Sequence, residues 1–282
     1  MTAGVLFPAA GLFVEPYILV WLGALLFLNL IRLNNSDLVS TFARPRQLAL
    51  LSAIKLLGLP VGMYALAHLI YEPLALPVLL LSGISTGLGA PFVVNLIGGR
   101  LPLVVGMIIA TSLAVPFVLP SIVFLLVGSE FEIPILNMIL LLSAALFTPL
   151  AAGWFTKRQW PAVAIFVDRN SFVLSLIFVV LINFGMFAKF SGYFYGDLQV
   201  LLQIVATAFL CFAAYALVGY LSAPGGRHER AAGLVSMTYV NNVLVAVFAF
   251  QFFGSPVAAL AALYNIPYYA GILAVKKIMP KN

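Results

Sequence analysis

The sequence predicts an all-helical integral membrane protein, and three observations carry that expectation. Apolar residues make up 64% of the 282 and charged residues 8%, and mean hydropathy is +1.15, outside the range of a soluble domain. The apolar residues fall into runs close to the roughly 20 residues that a helix needs to cross a hydrocarbon core. Nearly all basic residues lie in alternate connections between those runs. No stretch is left for a soluble domain. The net charge of +6 comes from these connections and not from a basic patch with interleaved aromatics, so nucleic-acid binding is not expected. The one cysteine, Cys211, sits inside an apolar run. That excludes an intramolecular disulfide and a multi-cysteine metal site.

In chain order the runs give about nine transmembrane helices, at 16–33, 47–70, 74–97, 102–127, 133–156, 171–188, 197–221, 230–252 and 256–275. Arg32, Arg44, Arg46, Arg100, Lys157, Arg158, Arg169, Arg227, Arg230, Lys276, Lys277 and Lys281 then share one side, and Lys189 alone lies on the other. The positive-inside rule puts the N-terminus outside and the C-terminus in the cytoplasm, across an inner (plasma) membrane. Met1 to Phe13 has no basic n-region and no clear small-residue cleavage site, so it does not read as a removable signal peptide. It is also too short to span alone. Asp168-Arg169-Asn170 reads as an interfacial cap before the sixth span, and Arg100 after Gly98-Gly99 as a topology marker. His68 and His228 lie near interfaces without a partner at metal-ligand spacing, and read as surface residues.

Two spans are interrupted. The third contains Ser82-Gly83-Ile84-Ser85-Thr86-Gly87-Leu88-Gly89-Ala90-Pro91, where three glycines and a proline break the helix. The eighth contains Ser236-Met237-Thr238-Tyr239-Val240-Asn241-Asn242. Irregular backbone at membrane depth persists only inside protein or beside a water-filled cavity. Transporters built from inverted repeats place broken helices at corresponding positions, with substrate between them. The plainer alternative is a Gly-xxx-Gly packing face, Gly83 to Gly87, with amide hydrogen bonds between helices. The backbone candidates for a crossover are Gly87, Gly89 and Pro91, and the polar candidates are Thr86, Asn95, Thr111, Ser112, Thr238, Tyr239, Asn241, Asn242 and Asn265. Some of these serve only as interhelical glue. Adjacent residues on a helix point about 100° apart, so Asn241 and Asn242 meet one ligand only if the backbone unwinds there.

Lys55 stands alone in the apolar run from Leu48 to Ile70. At 1.5 Å per residue it lies about 13 Å beyond Arg46, near the midplane of a core about 30 Å thick. Snorkelling to the headgroups is the plain alternative, and this depth argues against it. A lysine there costs about 2.5–3.5 kcal/mol on insertion scales, so it should face a cavity or a partner.

With these features in order, the chain resembles the bile acid/sodium symporter family of secondary transporters. The resemblance is carried by Pro16-Tyr17-Ile18, Ser36-Asp37, Phe42-Ala43-Arg44-Pro45, Pro60, the Gly-rich break, Pro116 and Pro120, Asn241, Pro256 and Tyr264-Asn265-Ile266. It implies one membrane domain over residues 1–282, built as two inverted repeats, 14–127 and 133–277. A core domain would carry two crossing discontinuous helices, with a separate panel domain. The first helix would be shortened to Met1 to Phe13. It also implies Na+ as coupling ion, and here the sequence departs from the family. Ala90-Pro91 stands where relatives carry a Ser-Asn pair, and Ser236 before Val240-Asn241 where they carry a glutamate before Gln-Asn; a one-residue shift gives Val235 and Tyr239 instead. Lys55 falls where relatives carry a glutamine. The expectation is that its ammonium stands in for a bound sodium ion, with H+ as the alternative coupling ion, since a buried lysine can load and release a proton.

The function expected is secondary active transport of a small organic anion by alternating access, with altered or absent sodium sites and no cofactor besides Na+ or H+. One positive charge in an apolar cavity favours a carboxylate or sulfonate over phosphate-rich solutes. Uptake of one net negative charge against 100 mV costs about 2.3 kcal/mol, so import needs a co-ion whereas a facilitated anion exporter does not. An auxin-efflux-type carrier shares broken helices and inverted repeats but not the ordered prolines. An intramembrane enzyme would need paired acids, Ser with His, or His-Glu-x-x-His, none of which occurs at membrane depth. A scaffold gains nothing from unwound backbone in a bilayer.

Overall fold

The computed structural model describes residues 2–31, 45–128 and 134–279. Among them every regular element is helical, and the single β feature is an isolated bridge between Thr86 and Val240. The chain divides into two compact units, Met1–Asn34 with Leu141–Gln203, and Asn35–Leu140 with Ile204–Asn282. Ser36-Asp37 and Phe42-Ala43-Arg44 lie outside the described residues.

The first unit is organised on one long helix. Helices α1 (Thr2–Leu6), α2 (Pro8–Val14) and α3 (Ile18–Ile31), with a 3-10 turn at Glu15–Tyr17, all pack on α10 (Pro161–Lys189). Gly4 and Gly11 allow the close approach. A Cβ on Gly4 would lie 2.5 Å from the Phe184 carbonyl oxygen, and one on Gly11 would collide with the Ala188 side chain. Trp21 stacks on Phe178 at 5.7 Å, Lys189 donates to Glu15, and the Tyr195 hydroxyl donates to the Val5 carbonyl at 2.8 Å. Tyr195 belongs to the short α11 (Gly192–Tyr195). The first apolar span therefore runs from Pro8 to Leu28, and not from residue 16. The second half of the expected N-terminal stub belongs to it.

The sixth span also starts earlier than hydropathy indicates. Pro161 opens α10 at its first helical position, where a missing N–H costs nothing. Asp168, Arg169 and Asn170 therefore lie inside the helix and do not cap it. Asn170 Nδ2 donates to the Phe166 carbonyl at 2.8 Å and Ser171 Oγ to the Asp168 carbonyl at 2.6 Å. Helix α9 (Ile135–Gln159) contains Pro149 without ending at it.

The second unit begins with α4 (Pro45–Ala53), a π turn (Ile54–Gly58) and α5 (Leu59–Tyr71) in one continuous run. Tyr71, at φ −159° and ψ 92°, ends it. After a 3-10 turn at Glu72–Leu74 the chain returns along α5 as α6 (Ala75–Gly83), breaks, and resumes as α7 (Ala90–Leu96). Gly98, at φ +71°, turns it into α8 (Leu101–Val127), which keeps Pro116 and Pro120 in its interior. The rest is α12 (Leu198–Ser222), α13 (Arg227–Thr238), α14 (Asn242–Phe253), α15 (Ser255–Leu263) and α16 (Asn265–Ile278). Both interrupted spans are thus two half-helices each, α6 with α7 and α13 with α14.

Among the described residues seven helical stretches are long and apolar enough to cross a membrane: Pro8–Leu28, Pro45–Gly83, Leu101–Val127, Ile135–Gln159, Pro161–Lys189, Leu198–Ser222 and Ser255–Ile278. Of the nine expected spans, the third and eighth are absent from this set as continuous helices. The first half of the third, α6, is counted with the second span, and the eighth is shortened by its break, leaving α14 as an apolar helix of 12 residues.

Candidate functional site

The site is built where the two breaks meet, inside the second unit. A broken helix leaves the carbonyls of the half that ends and the N–H groups of the half that begins without helical partners, and in hydrocarbon each costs several kcal/mol. The two breaks supply each other. Gly87 N–H donates to the Tyr239 carbonyl at 2.7 Å, and Asn241 N–H to the Ser85 carbonyl at 2.9 Å, forming the bridge between Thr86 and Val240. Gly87 is required at this contact, since a Cβ there would lie 2.5 Å from the Val240 oxygen and 2.7 Å from its carbon.

Side chains complete the accounting. Thr86 N–H donates to Thr111 Oγ1 at 3.0 Å, and Thr86 Oγ1 donates to the Ser236 carbonyl at 2.8 Å. Thr111 Oγ1 in turn donates to the Met107 carbonyl within α8 at 2.5 Å. Asn241 caps α14, its Oδ1 accepting from Leu244 N–H at 3.3 Å. Thr238 Oγ1 bonds back to the Leu234 carbonyl at 2.5 Å, while its own carbonyl accepts the Tyr264 hydroxyl at 2.8 Å.

Lys55 lies in the π turn and is fully buried. Its ammonium donates to the Ser82 carbonyl at 2.8 Å and lies 5.6 Å from the centre of the Tyr215 ring. Ser82 is in the last turn of α6, so the cation sits at the negative end of that half-helix's dipole and satisfies one of its orphan carbonyls. Among the described residues Lys55 is the single buried charged side chain, and no Asp or Glu is buried. An ammonium has three donors, and among the described residues Ser82 is the one acceptor it meets.

The crossing holds most of the residues that the sequence nominates. Lys55, Thr86, Gly87, Thr111, Thr238, Tyr239 and Asn241 are joined by the contacts above, and Asn242 opens α14 beside them. Gly89 lies against Tyr268, whose hydroxyl fills the place of a Cβ, and Pro91 is the second residue of α7. Asn265 is buried at the start of α16 and donates to the Ala262 carbonyl at 3.0 Å. Asn95 is exposed on α7, outside this network. Four groups at the breaks, Ser85 Oγ, Ser236 Oγ, Tyr239 Oη and Asn242 Nδ2, are buried and pair with no protein group among the described residues.

Sequence reasoning misses Tyr215 and Tyr264 as partners of the breaks. It also undervalues Arg100 and His228. Arg100 Nη1 donates to Glu229 Oε1 at 3.2 Å, Arg100 N–H donates to the His228 carbonyl at 3.0 Å, and His228 Nδ1 contacts the Gly98 carbonyl at 2.5 Å. The turn after α7 is thereby tied to the start of α13. His68 stacks on Tyr64 at 5.7 Å. Among the described residues no three His, Cys, Asp or Glu side chains group as metal ligands would.

A multi-pass helical membrane protein with two paired helix breaks around one buried cation is an arrangement suited to a transported solute. No curated protein matches the chain. The sequence model of the sodium bile acid symporter family, a family of membrane transporters, matches residues 19–196, well over half of the chain and including the first break and Lys55. The chain therefore belongs to the sodium bile acid symporter family.

Proposed function

We propose that the protein is a secondary transporter of a small organic anion, working by alternating access about the paired breaks, with the Lys55 ammonium serving where a sodium ion would otherwise be held. The observation that carries this reading is the contact of Lys55 Nζ with the Ser82 carbonyl, at the end of α6 and four residues before the bridged Thr86. A free cation at that carbonyl would compete with a tethered one already there. The remaining ammonium donors suit a carboxylate or sulfonate, and four polar groups at the breaks are buried without a protein partner among the described residues. No buried carboxylate offers a sodium ion charge compensation among the described residues.

On this reading the second unit, which holds the crossing, is the core and the first unit the panel, each drawing on both sequence halves as two inverted repeats require. The spans, with the third and eighth broken, are nine, the N-terminus is outside and the C-terminus cytoplasmic, in an inner or plasma membrane. Lys55 is also the group through which protons would couple, should import be driven.

The test is the melting temperature of the purified protein across monocarboxylates and monosulfonates in sodium and in potassium buffer, followed by flux in proteoliposomes. A ligand at 100 times its Kd adds about 2.7 kcal/mol to the native state. Equal stabilisation in both buffers, lost in Lys55→Gln unless sodium is present, is the expected result. Stabilisation of the wild type only in sodium, or unchanged sodium-free binding by Lys55→Gln, would sink the role of Lys55. Absence of any flux would sink transport.

A further inference from the structure

The two half-helices that end at the crossing are finished in parallel ways. The α6 end presents the Ser82 carbonyl to Lys55 from the preceding helical run, and the α13 end presents the Thr238 carbonyl to Tyr264 from the following one. Both donors rest on the same helix. Lys55 Nζ lies 5.6 Å from the Tyr215 ring centre, and the Tyr264 ring lies 6.1 Å from Tyr215, inclined by 38°. Phe212, three residues before Tyr215 and so on the same face of α12, holds the other side, 6.1 Å from Tyr264 and 5.8 Å from Tyr239. Tyr215, Tyr239, Tyr264 and Lys55 are all fully buried.

We infer that Tyr264 is a positioning residue of the crossing, the counterpart of Lys55, and that the two caps are coupled through the Tyr215 ring. The inference rests on reading the crossing as the transport site, and it assigns that site a control on its geometry. Close packing makes the coupling physical, because neither donor moves off its carbonyl without displacing the ring that supports the other. The hydroxyl matters separately from the ring: Thr238 keeps only the Val240 N–H, at 3.1 Å, when the phenol is removed. A purely packing role for Tyr264 would be met by its ring alone.

Hydrogen exchange read by mass spectrometry on the substrate-free protein tests this, and a protein that transported nothing would answer it equally well. Tyr264→Phe keeps the ring and should speed exchange about five- to tenfold in peptides covering 239–242 and also in those covering 84–89, with α8 and α10 unchanged. Lys55→Met should open the same two segments, and the double variant should exchange more slowly than the product of the single effects predicts. In a Tyr215→Leu background the two effects should multiply. An effect of Tyr264→Phe confined to 239–242, spread evenly over the second unit, or absent would overturn the inference. So would multiplicative effects with Tyr215 in place. If Lys55→Met does not fold, the effect of Tyr264→Phe on residues 84–89 decides alone.

Discussion

Replacing Gly87 by alanine drives a methyl group into the place where the two broken segments touch. Its Cβ would lie 2.5 Å from the Val240 oxygen, 2.7 Å from the Val240 carbon and 3.0 Å from Asn241 N, where ordinary contacts are about 3.5–4.0 Å. These are backbone atoms, so no rotamer change relieves them, and the segments must part by about 1 Å. The bridge bonds, now 2.7 and 2.9 Å, would then exceed the length at which such bonds hold. Each is worth about 1 kcal/mol net, and buried groups left unpaired add to the loss, so the total is about 2–4 kcal/mol. Gly62→Ala is the reference. Nothing lies within 4 Å of a Cβ there, and alanine in a helix is favoured by about 0.5–1 kcal/mol. Thermal unfolding in detergent, followed by tryptophan fluorescence, should place Gly87→Ala about 5–10 °C below wild type and Gly62→Ala at or above it. Matching midpoints for the two alanine variants would refute the reasoning, because the paired breaks would then be free to separate at no cost.

Two further outcomes follow from the same junction. Gly89→Ala collides with the Tyr268 hydroxyl and should lower the midpoint, whereas adding Tyr268→Phe removes the colliding oxygen and should recover more than half of the loss. Asn241→Ala removes the α14 cap, in which Oδ1 accepts from Leu244 N–H, and should cost about 1 kcal/mol in a denaturant titration; an unchanged midpoint would show that the cap contributes nothing.

The breaks are legible because glycine, proline and clustered amides are local signals, and residues 82–91 and 236–242 carry them without reference to the rest of the chain. Lys55 is legible for the same reason, as a charge in an apolar run. Its partner is not. Tyr215 and Tyr264 sit in stretches that are apolar all round, and since lipid is as apolar as a protein interior, composition does not show which face of such a helix turns inward. Asn95 is nominated by polarity alone, and α7 turns it outward. Hydropathy also marks only the part of a helix that suits hydrocarbon. It therefore misses the start of α10 at Pro161 and the joining of α2 to α3 through Glu15–Tyr17. The ion pair of Arg100 with Glu229 spans more than a hundred residues of sequence, beyond what any local pattern reports.

The π turn around Lys55 has a mechanical meaning. Leu59 N–H reaches back to the Ile54 carbonyl, five residues away, so this turn contains one residue more than an α-helix would use. One residue corresponds to about 100° of rotation. Helices α4 and α5 therefore keep a phase difference that a regular helix would lose, and Lys55 occupies the place where the difference is stored. If the surplus residue migrated toward the start of α4, the turns it passed would rotate against the rest of the run and the ammonium would swing away from Ser82, whereas migration into α5 is opposed by Pro60, which has no N–H with which to re-form a backbone bond. The span would then behave as a screw with a movable thread, with the charge that caps α6 riding on it.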